Sequence, residues 1–546
     1  MKNFRSILLI ITSIWFMISC SKQIEDKQID PNNPTSVPPN LILGTVLTDM
    51  SGTGSAGRLS GTGSSEGVNS WDAAHRWNQY HCSNYDYYDN NIYAWTNGSF
   101  DPYLVLNNVQ QMEHEAITRG MAALNPFEAV GRFVRAYYYY NLTSMFGDVP
   151  LTQALESVKN STPAYTTQEQ VFLYVLNELD SANNDLNALI AANDNSLSPA
   201  QDLYYAGSLN AWQKLVNTFK LRVLVSLSNK VADATLNIPT QFAAILGNPS
   251  KYPIFTNQGD DMKLVYNPGG TSTYTTYPFN PSNFGSIAAR FNMANTYMTA
   301  LTTLNDARVF ITTEPAWALV GTDTVNATQY KYFAGASTGE SLGDMYNNAN
   351  AGLYSFINRY RYYSNFTGEP NVLVGFKEMC FNIAEGITRG WATGTAETWY
   401  KQGITESMAF YGIDITKTNF TTYFLPPGNS SVTQVKPFPF TFDFNAYYAQ
   451  PTVALSSATA TAINQIVLQK YIVCFQNSGY EGYYNSRRTG VPAFDGGSGV
   501  GNNGVVPKRW AYPVSEQSQN TAGWKAALSA QQFSADDLNQ MMWLLK

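Results

Sequence analysis

Charge is scarce in this chain. Asp, Glu, Lys and Arg make up 13% of the 546 residues, less than the aromatics at 14%. The formal net charge is −7, and it becomes −9 when Lys2 and Arg5 of the N-terminal segment are set aside. An acidic chain without a basic tract offers no electrostatic footprint for nucleic acid or for an anionic membrane surface. Histidine is nearly missing: His75, His81 and His114 are the only ones. His75, His81 and Cys82 are not spaced as metal ligands, so no metal site is expected, and core or loop histidines are the default reading. Cysteine is also rare. After Cys20 come Cys82, Cys380 and Cys474, at spacings that fit neither a disulfide framework nor a zinc pattern. One bridge plus a free thiol, or three buried thiols, both satisfy the count. The longest apolar run, Ile7–Ile18, is too short for a membrane span of about 20 residues.

That run has the size of a signal-peptide core, behind Lys2 and Arg5 and ahead of Met17-Ile18-Ser19-Cys20. Residues 1–19 are therefore expected to be a lipoprotein signal peptide, with Cys20 carrying the acyl chains. Ordinary secretion, with Cys20 near the cleavage point by accident, is the competing reading. Residues 20–40, polar and then PNNPTSVPP, read as a flexible tether. No linker divides the rest, so 41–546 is expected to be one α-helical ligand-binding domain. With so little charge, its surface must be rich in Asn, Thr, Ser, Gln and Tyr, which suits neutral, hydroxyl-rich ligands; a general compositional habit of the source organism is the competing reading.

Helical periodicity dominates. In NPFEAVGRFVRAYYYYNLTSMFGDVPL (125–151), Asn125 can cap and Pro126 fits the first helical position. Phe127, Val130, Val134, Tyr137, Tyr138, Leu142 and Met145 then form an apolar face, and Gly147-Asp148 with Pro150 ends the helix. Val171, Val175, Leu179, Ala182, Leu186 and Leu189 make a second stripe, behind a capping box at Thr167 and Gln170. Trp212, Val216, Phe219, Val223 and Leu227 make a third. Further helices are predicted at 41–50, 103–119, 290–304, 374–390, 394–412 and 534–545. Paired helices of this length point to a mostly α, tetratricopeptide-like helical-hairpin scaffold, although no clean 34-residue repeat is visible. The inserts at 51–67, 267–286, 414–460 and 495–507 are long, irregular and rich in Gly, Thr, Pro or Asn.

Several segments, in order, resemble one family. Arg135-Ala136 through Phe146-Gly147-Asp148-Val149-Pro150 is similar to a helix and turn of the SusD/RagB lipoproteins of Bacteroidetes. So are Asp202-Leu203-Tyr204-Tyr205-x-Gly207, Trp212-x-Lys214-x-x-Asn217-x-x-x-Leu221-Arg222 and Asn305-Asp306-x-Arg308. Ala384-Glu385-Gly386 with Arg389-Gly390, Arg487-Arg488-Thr489-Gly490-Val491-Pro492, and Pro507-x-Arg509-x-x-Tyr512-Pro513-x-x-Glu516-x-x-x-Asn520 continue the match. Together they span roughly residues 40–546. The resemblance implies a SusD-like fold and a non-catalytic nutrient-binding lipoprotein on the outer membrane, facing the cell exterior. It also implies a partner, a SusC-like TonB-dependent transporter on which the protein acts as a lid. The ligand class it implies is oligosaccharide, with peptide as the alternative. Arg487 and Arg488 read as residues that pair with buried acids and hold helices together.

Enzymatic motifs fail on context. Gly52-Thr53-Gly54-Ser55-Ala56-Gly57 lacks the strand and the acidic residue of a dinucleotide loop, and Gly63-Ser64-Ser65-Glu66-Gly67 lies in low-complexity sequence. No carboxylate pair stands out, so a surface glycoside hydrolase is the weaker alternative, and no catalytic residue or cofactor is expected. The better lead is an aromatic cluster. Trp71, Trp77, Tyr80, Tyr85, Tyr87, Tyr88, Tyr93 and Trp95 are interleaved with Asn78, Gln79, Asn84, Asp86, Asp89 and Asn90. Aromatic faces pack on the C–H faces of sugars while amides and carboxylates take hydroxyls. The expected ligand-binding residues are Trp71, Arg76, Trp77, Tyr80, Tyr87, Tyr88 and Trp95, with Tyr274 and Tyr277 from the 266–284 insert. The competing reading is that about half of these rings pack beneath a long insert.

Overall fold

Local signals start and stop the principal helices. Asn125 Oδ1 accepts the backbone N–H groups of Phe127 and Glu128, at 3.0 and 3.1 Å, and starts the helix Pro126–Phe146. Gly147, at φ +90°, ends it, because that backbone conformation leaves the helix and is one that side-chain-bearing residues rarely adopt. Thr167 Oγ accepts the Gln170 N–H and opens Gln168–Ala191. The carboxylate of Asp148 accepts the Gln168 N–H at 2.8 Å, so the turn after one helix caps the next. Burial pushes the Asp148 carboxyl up to about 6, against the pull of that N–H and of Arg509.

The computed structural model describes residues 36–52, 73–85, 87, 90–156, 159–268, 277–322 and 324–546. The expected signal peptide, Cys20 and Trp71, Tyr88 and Tyr274 lie outside the described residues. In chain order the longer helices of the first half are α1 (Pro39–Met50), α2 (Pro102–Thr118), α3 (Pro126–Phe146), α4 (Gln168–Ala191), α5 (Leu209–Ser226) and α6 (Ile238–Gly247). Each packs on the next, as helical hairpins require. Then come α7 (Asn295–Thr302), α8 (Leu342–Asn350), α9 (Phe376–Thr388), α10 (Ala396–Phe410), α11 (Thr459–Val473) and α12 (Glu481–Thr489). The protein is mostly helical, and the sheets among the described residues are four antiparallel strand pairs. β1 (His81–Ser83) pairs with β5 (Phe291–Met293), and β2 (Val149–Pro150) with β3 (Tyr165–Thr166). β4 (Met262–Leu264) pairs with β6 (Asn371–Val374), and β7 (Asn419–Phe424) with β8 (Lys436–Thr441).

Two large apolar cores meet at α9. Met379, Cys380 and Ile383 belong to the core built with α1–α6, while Phe381 and Ala384 belong to the core built with α7, α10 and α11. A helix apolar on both faces is buried on both, and α9 cements the two halves. The family-like motifs hold this frame. Arg222 makes a bidentate pair with Glu378, and its guanidinium also donates to Leu373 O. Asp202 takes the Trp212 indole N–H at 2.8 Å and three backbone N–H groups. Arg488 pairs with buried Glu385 at 2.5 and 2.9 Å, as expected, whereas Arg487 donates to the carbonyls of Lys508 and Ser144.

Four sequence expectations change. The helix predicted over 290–304 begins only at Asn295, because Phe291–Met293 is taken by β5. The helix predicted over 534–545 is reduced to a single turn at Trp543–Leu545. Asp536 instead accepts the Arg509 guanidinium at 2.6 Å and the Trp524 indole N–H at 3.0 Å, a tertiary use that outbids a helical start. Within 414–460 the residues Phe420, Thr422 and Phe424 alternate inward opposite Phe438 and Phe440, which makes a β-hairpin rather than an irregular insert. Ordered contacts also begin before residue 41: Ser36 Oγ donates to Glu115 at 2.8 Å and accepts from Arg119 at 2.7 Å.

Candidate functional site

The aromatic segment 73–95 splits into a buried part and a solvent-facing part. Trp77 is 2% exposed, and Tyr80 and Trp95 are fully buried. Trp95 stacks on Trp510 at 3.5 Å and meets Trp77 edge-on at 5.3 Å. The Trp77 indole N–H donates to Ile92 O. Tyr80 stacks on Tyr471 at 4.6 Å and donates its hydroxyl to Tyr471 O at 2.7 Å. The expectation that Trp77, Tyr80 and Trp95 present faces to a ligand is therefore corrected: these rings are core. The segment runs between α11, α12 and the 507–512 loop, and large rings there are worth most when dehydrated. Arg76 is buried beside them, and Tyr277 is 3% exposed, packed against Tyr266 with ring centroids 5.0 Å apart. Of the expected ligand residues described here, Tyr87 alone is well exposed, at 79%.

The β1–β5 ladder decides what stands beside Tyr87. It pairs His81 with Met293 and Ser83 with Phe291, and the Asn84 N–H donates to Arg290 O at 3.0 Å. Asn84 Nδ2 donates to Ala289 O. The Arg290 guanidinium thus lies 5.6 Å from the Tyr85 ring centroid. On the other side stands α8, capped by Ser341 Oγ accepting the Asp344 N–H. Met345 points inward and takes a contact from Asn91 Nδ2, while Tyr346, one residue on, points outward. The Tyr346 ring lies 5.9 Å from Tyr85, and Tyr85 lies 6.5 Å from Tyr87. Asn84, Tyr85, Leu342, Gly343 and Tyr346 line an open cavity of about 340 Å³.

Backbone packing holds the α8 side of this cavity. Gly499 N–H donates to Gly339 O, and Tyr93 N–H donates to Val500 O. A Cβ on Gly499 would overlap the carbonyl oxygen of Glu340, and one on Gly339 that of Gly496. The glycine-rich insert at 495–507 is thus a platform that only glycine lets approach the 338–342 turn. Glu340 in turn accepts the Tyr354 hydroxyl and the Asn348 amide, each at 2.7 Å, and ties the turn to α8. Tyr85, Tyr346 and the Asn84 amide line the cavity, with Tyr87 and the Arg290 guanidinium beside Tyr85; rings and polar groups so placed can stack on flat, hydroxyl-bearing ligands.

The sequence pointed to the segment that carries Tyr85 and Tyr87 but not to Tyr346, Gly343, Leu342 and Arg290, which the fold sets beside it. A weak signal existed for Tyr346: Met345 and Ala349, four apart, mark the inner face of α8 and leave Tyr346 outside. Nothing local marks Arg290.

Known proteins share the fold. Residues 59–513 match the SusD-like family described as starch-binding and associating with the outer membrane. A SusD homologue from Bacteroides fragilis superposes with a TM-score of 0.75 at 25% identity, over 93% of this chain and 100% of that one. A second B. fragilis SusD homologue gives 0.72 at 28% identity, over 94% and 100%. A chitin-binding SusD homologue from Flavobacterium johnsoniae shares the fold, with a TM-score of 0.64 at 19% identity over 93% and 97%. No match appears among curated proteins.

Proposed function

Since the chain belongs to the SusD-like family of outer-membrane-associating, starch-binding proteins, we propose that it is a surface nutrient-binding lipoprotein that captures neutral oligosaccharides between Tyr85, Tyr87 and Tyr346. It is anchored by acyl chains on Cys20 and delivers its ligand, as a lid, to a SusC-like TonB-dependent transporter. It performs no chemistry on the ligand. The observation that carries this reading is the 340 Å³ cavity lined by Asn84, half-buried Tyr85 and exposed Tyr346, with Arg290 and exposed Tyr87 beside Tyr85. Stacking supplies apolar contact without selecting charge, and the scarcity of charge over the whole chain fits a neutral ligand. Among the described residues no helix is long and apolar enough to cross a membrane, which accords with a lipid anchor.

Calorimetry with neutral oligosaccharides and with peptide pools tests the proposal. Tyr346→Ala is expected to weaken oligosaccharide binding by about tenfold or more, the loss of one stacking contact. Trp77→Ala is expected to lower stability instead. Binding of peptides but not sugars, or unchanged affinity in Tyr346→Ala, rejects the oligosaccharide reading. Co-purification of a transporter with wild type, lost in Cys20→Ser, tests the anchored assembly.

A further inference from the structure

A second cavity lies at the β7–β8 hairpin and shares no lining residue with the first. Its volume is about 520 Å³. Phe420 and Phe440 face each other across the ladder and stack, with centroids 5.3 Å apart and planes at 23°. Phe440 is buried, held from behind by Phe310 at 5.0 Å, whereas Phe420 is half-buried and forms the wall. Tyr330, half-buried, lies 4.7 Å from Phe310 and continues the apolar floor. Gln329 and Asn419, both exposed, and the hydroxyl of Thr328 stand at the rim. Thr328 donates to Pro439 O at 2.8 Å, which fastens the 326–330 turn to the hairpin.

Among the described residues, none of those lining this cavity carries a charge. Such a set cannot offset the dehydration of an ionic ligand. It offers ring faces to C–H surfaces, and amides that both donate and accept to hydroxyl groups. The floor is built on a paired strand register and on Phe440 packed between Phe420 and Phe310, so it is preformed rather than assembled by the ligand. A pocket of this size takes a ligand of a few sugar rings, within the usual 300–1,000 Å³ of small-molecule sites. We propose that the β7–β8 cavity is a second binding site for a neutral oligosaccharide, independent of the Tyr85–Tyr346 site. It would hold a second stretch of a long glycan, or a second chain, on the same protein molecule. The inference rests on the chemistry of this cavity and does not require the first site to bind sugar.

Isothermal titration of the full chain with maltoheptaose and with chitohexaose tests it, together with crystals soaked in the sugar that binds. Wild type is expected to show sugar density at the hairpin. Gln329→Ala with Asn419→Ala, both at exposed positions where folding is undisturbed, is expected to remove that density and weaken the corresponding binding by about tenfold. Phe420→Ala is expected to do the same, with circular dichroism checking that the fold persists. Tyr346→Ala is expected to leave hairpin binding intact. The proposal is overturned if neither sugar binds, if the Gln329 and Asn419 substitutions change nothing, or if Tyr346→Ala abolishes all binding. Failure of the Tyr85–Tyr346 reading looks different: Tyr346→Ala would then leave every binding event in place.

Discussion

Arg308 and Asp306 form a bidentate ion pair in which neither side chain is exposed to solvent. Their Nε–Oδ1 and Nη2–Oδ2 distances are 2.9 and 2.5 Å. The Tyr447 hydroxyl donates to Asp306 at 2.7 Å, and Arg308 also donates to Gln469 Oε1 and Ser407 Oγ. The pair joins the turn before the Arg308–Thr312 helix to α10 and α11 through groups whose hydrogen bonds are satisfied on both sides. Asp306→Asn would strand a buried guanidinium. Denaturant unfolding should show a loss of about 3–5 kcal/mol, with the far-ultraviolet spectrum unchanged at low denaturant.

His75 gives the fold an acid limit. Its ring is fully buried, neither ring nitrogen meets a partner among the described residues, and burial pushes its pKa down to about 3. His81, nearby in the chain, is also pushed well below the usual range by burial and by Arg76. Both are neutral in the folded state and charge on unfolding, at about 6.5. Stability is therefore full above that value and falls as the pH drops from about 6.5 toward 3, because the unfolded chain binds the extra protons. His75→Phe should flatten this limb of a stability-against-pH curve. A slope as steep as that of wild type would assign acid sensitivity elsewhere.

Glu385 governs a lower window. Burial alone would raise its carboxyl, but Arg488 and then Arg389 hold it down to about 2. Its pair with Arg488 stabilises fully above the ordinary carboxylate pKa of about 4.3 and is lost as the pH falls toward 2. Glu385→Gln is expected to be less stable than wild type at neutral pH, with the gap closing between about pH 4.3 and 2. A constant gap across that window would show that packing, not charge, accounts for the loss.

Gly499 tests the platform beneath the tyrosine cavity. A methyl group there has no room between the carbonyl oxygens of Glu340 and Thr338, so the turn leading into α8 must move. Gly499→Ala should reduce ligand affinity by about tenfold through displaced Tyr346. The melting temperature should fall by only a few degrees, because the change is local. Affinity equal to wild type would show that the turn yields without moving Tyr346.

The scaffold was legible because its signals are local. Asn125 and Pro126 start α3, and Gly147 stops it, with atoms a few residues apart. The aromatic segment was legible as a region but not residue by residue. Trp95 and Tyr80 are buried by Trp510 and Tyr471, about 400 residues further along the chain, and no local spacing reports such a partner. Over 534–545, Arg509 takes the carboxylate of Asp536, and the predicted helix shrinks to a turn at Trp543–Leu545.

By itself the sequence determined the helical-hairpin frame, the family and the segment in which the aromatic rings crowd. Those follow from periodicity, capping and ordered motifs, which act within a turn or two of helix. Only the tertiary structure decided which rings face solvent. The β1–β5 ladder brings Arg290 beside Asn84 and Tyr85, and the glycine platform sets α8 opposite them with Tyr346 outward. A ring's exposure depends on what distant chain covers it, and that is settled when the two cores close around α9.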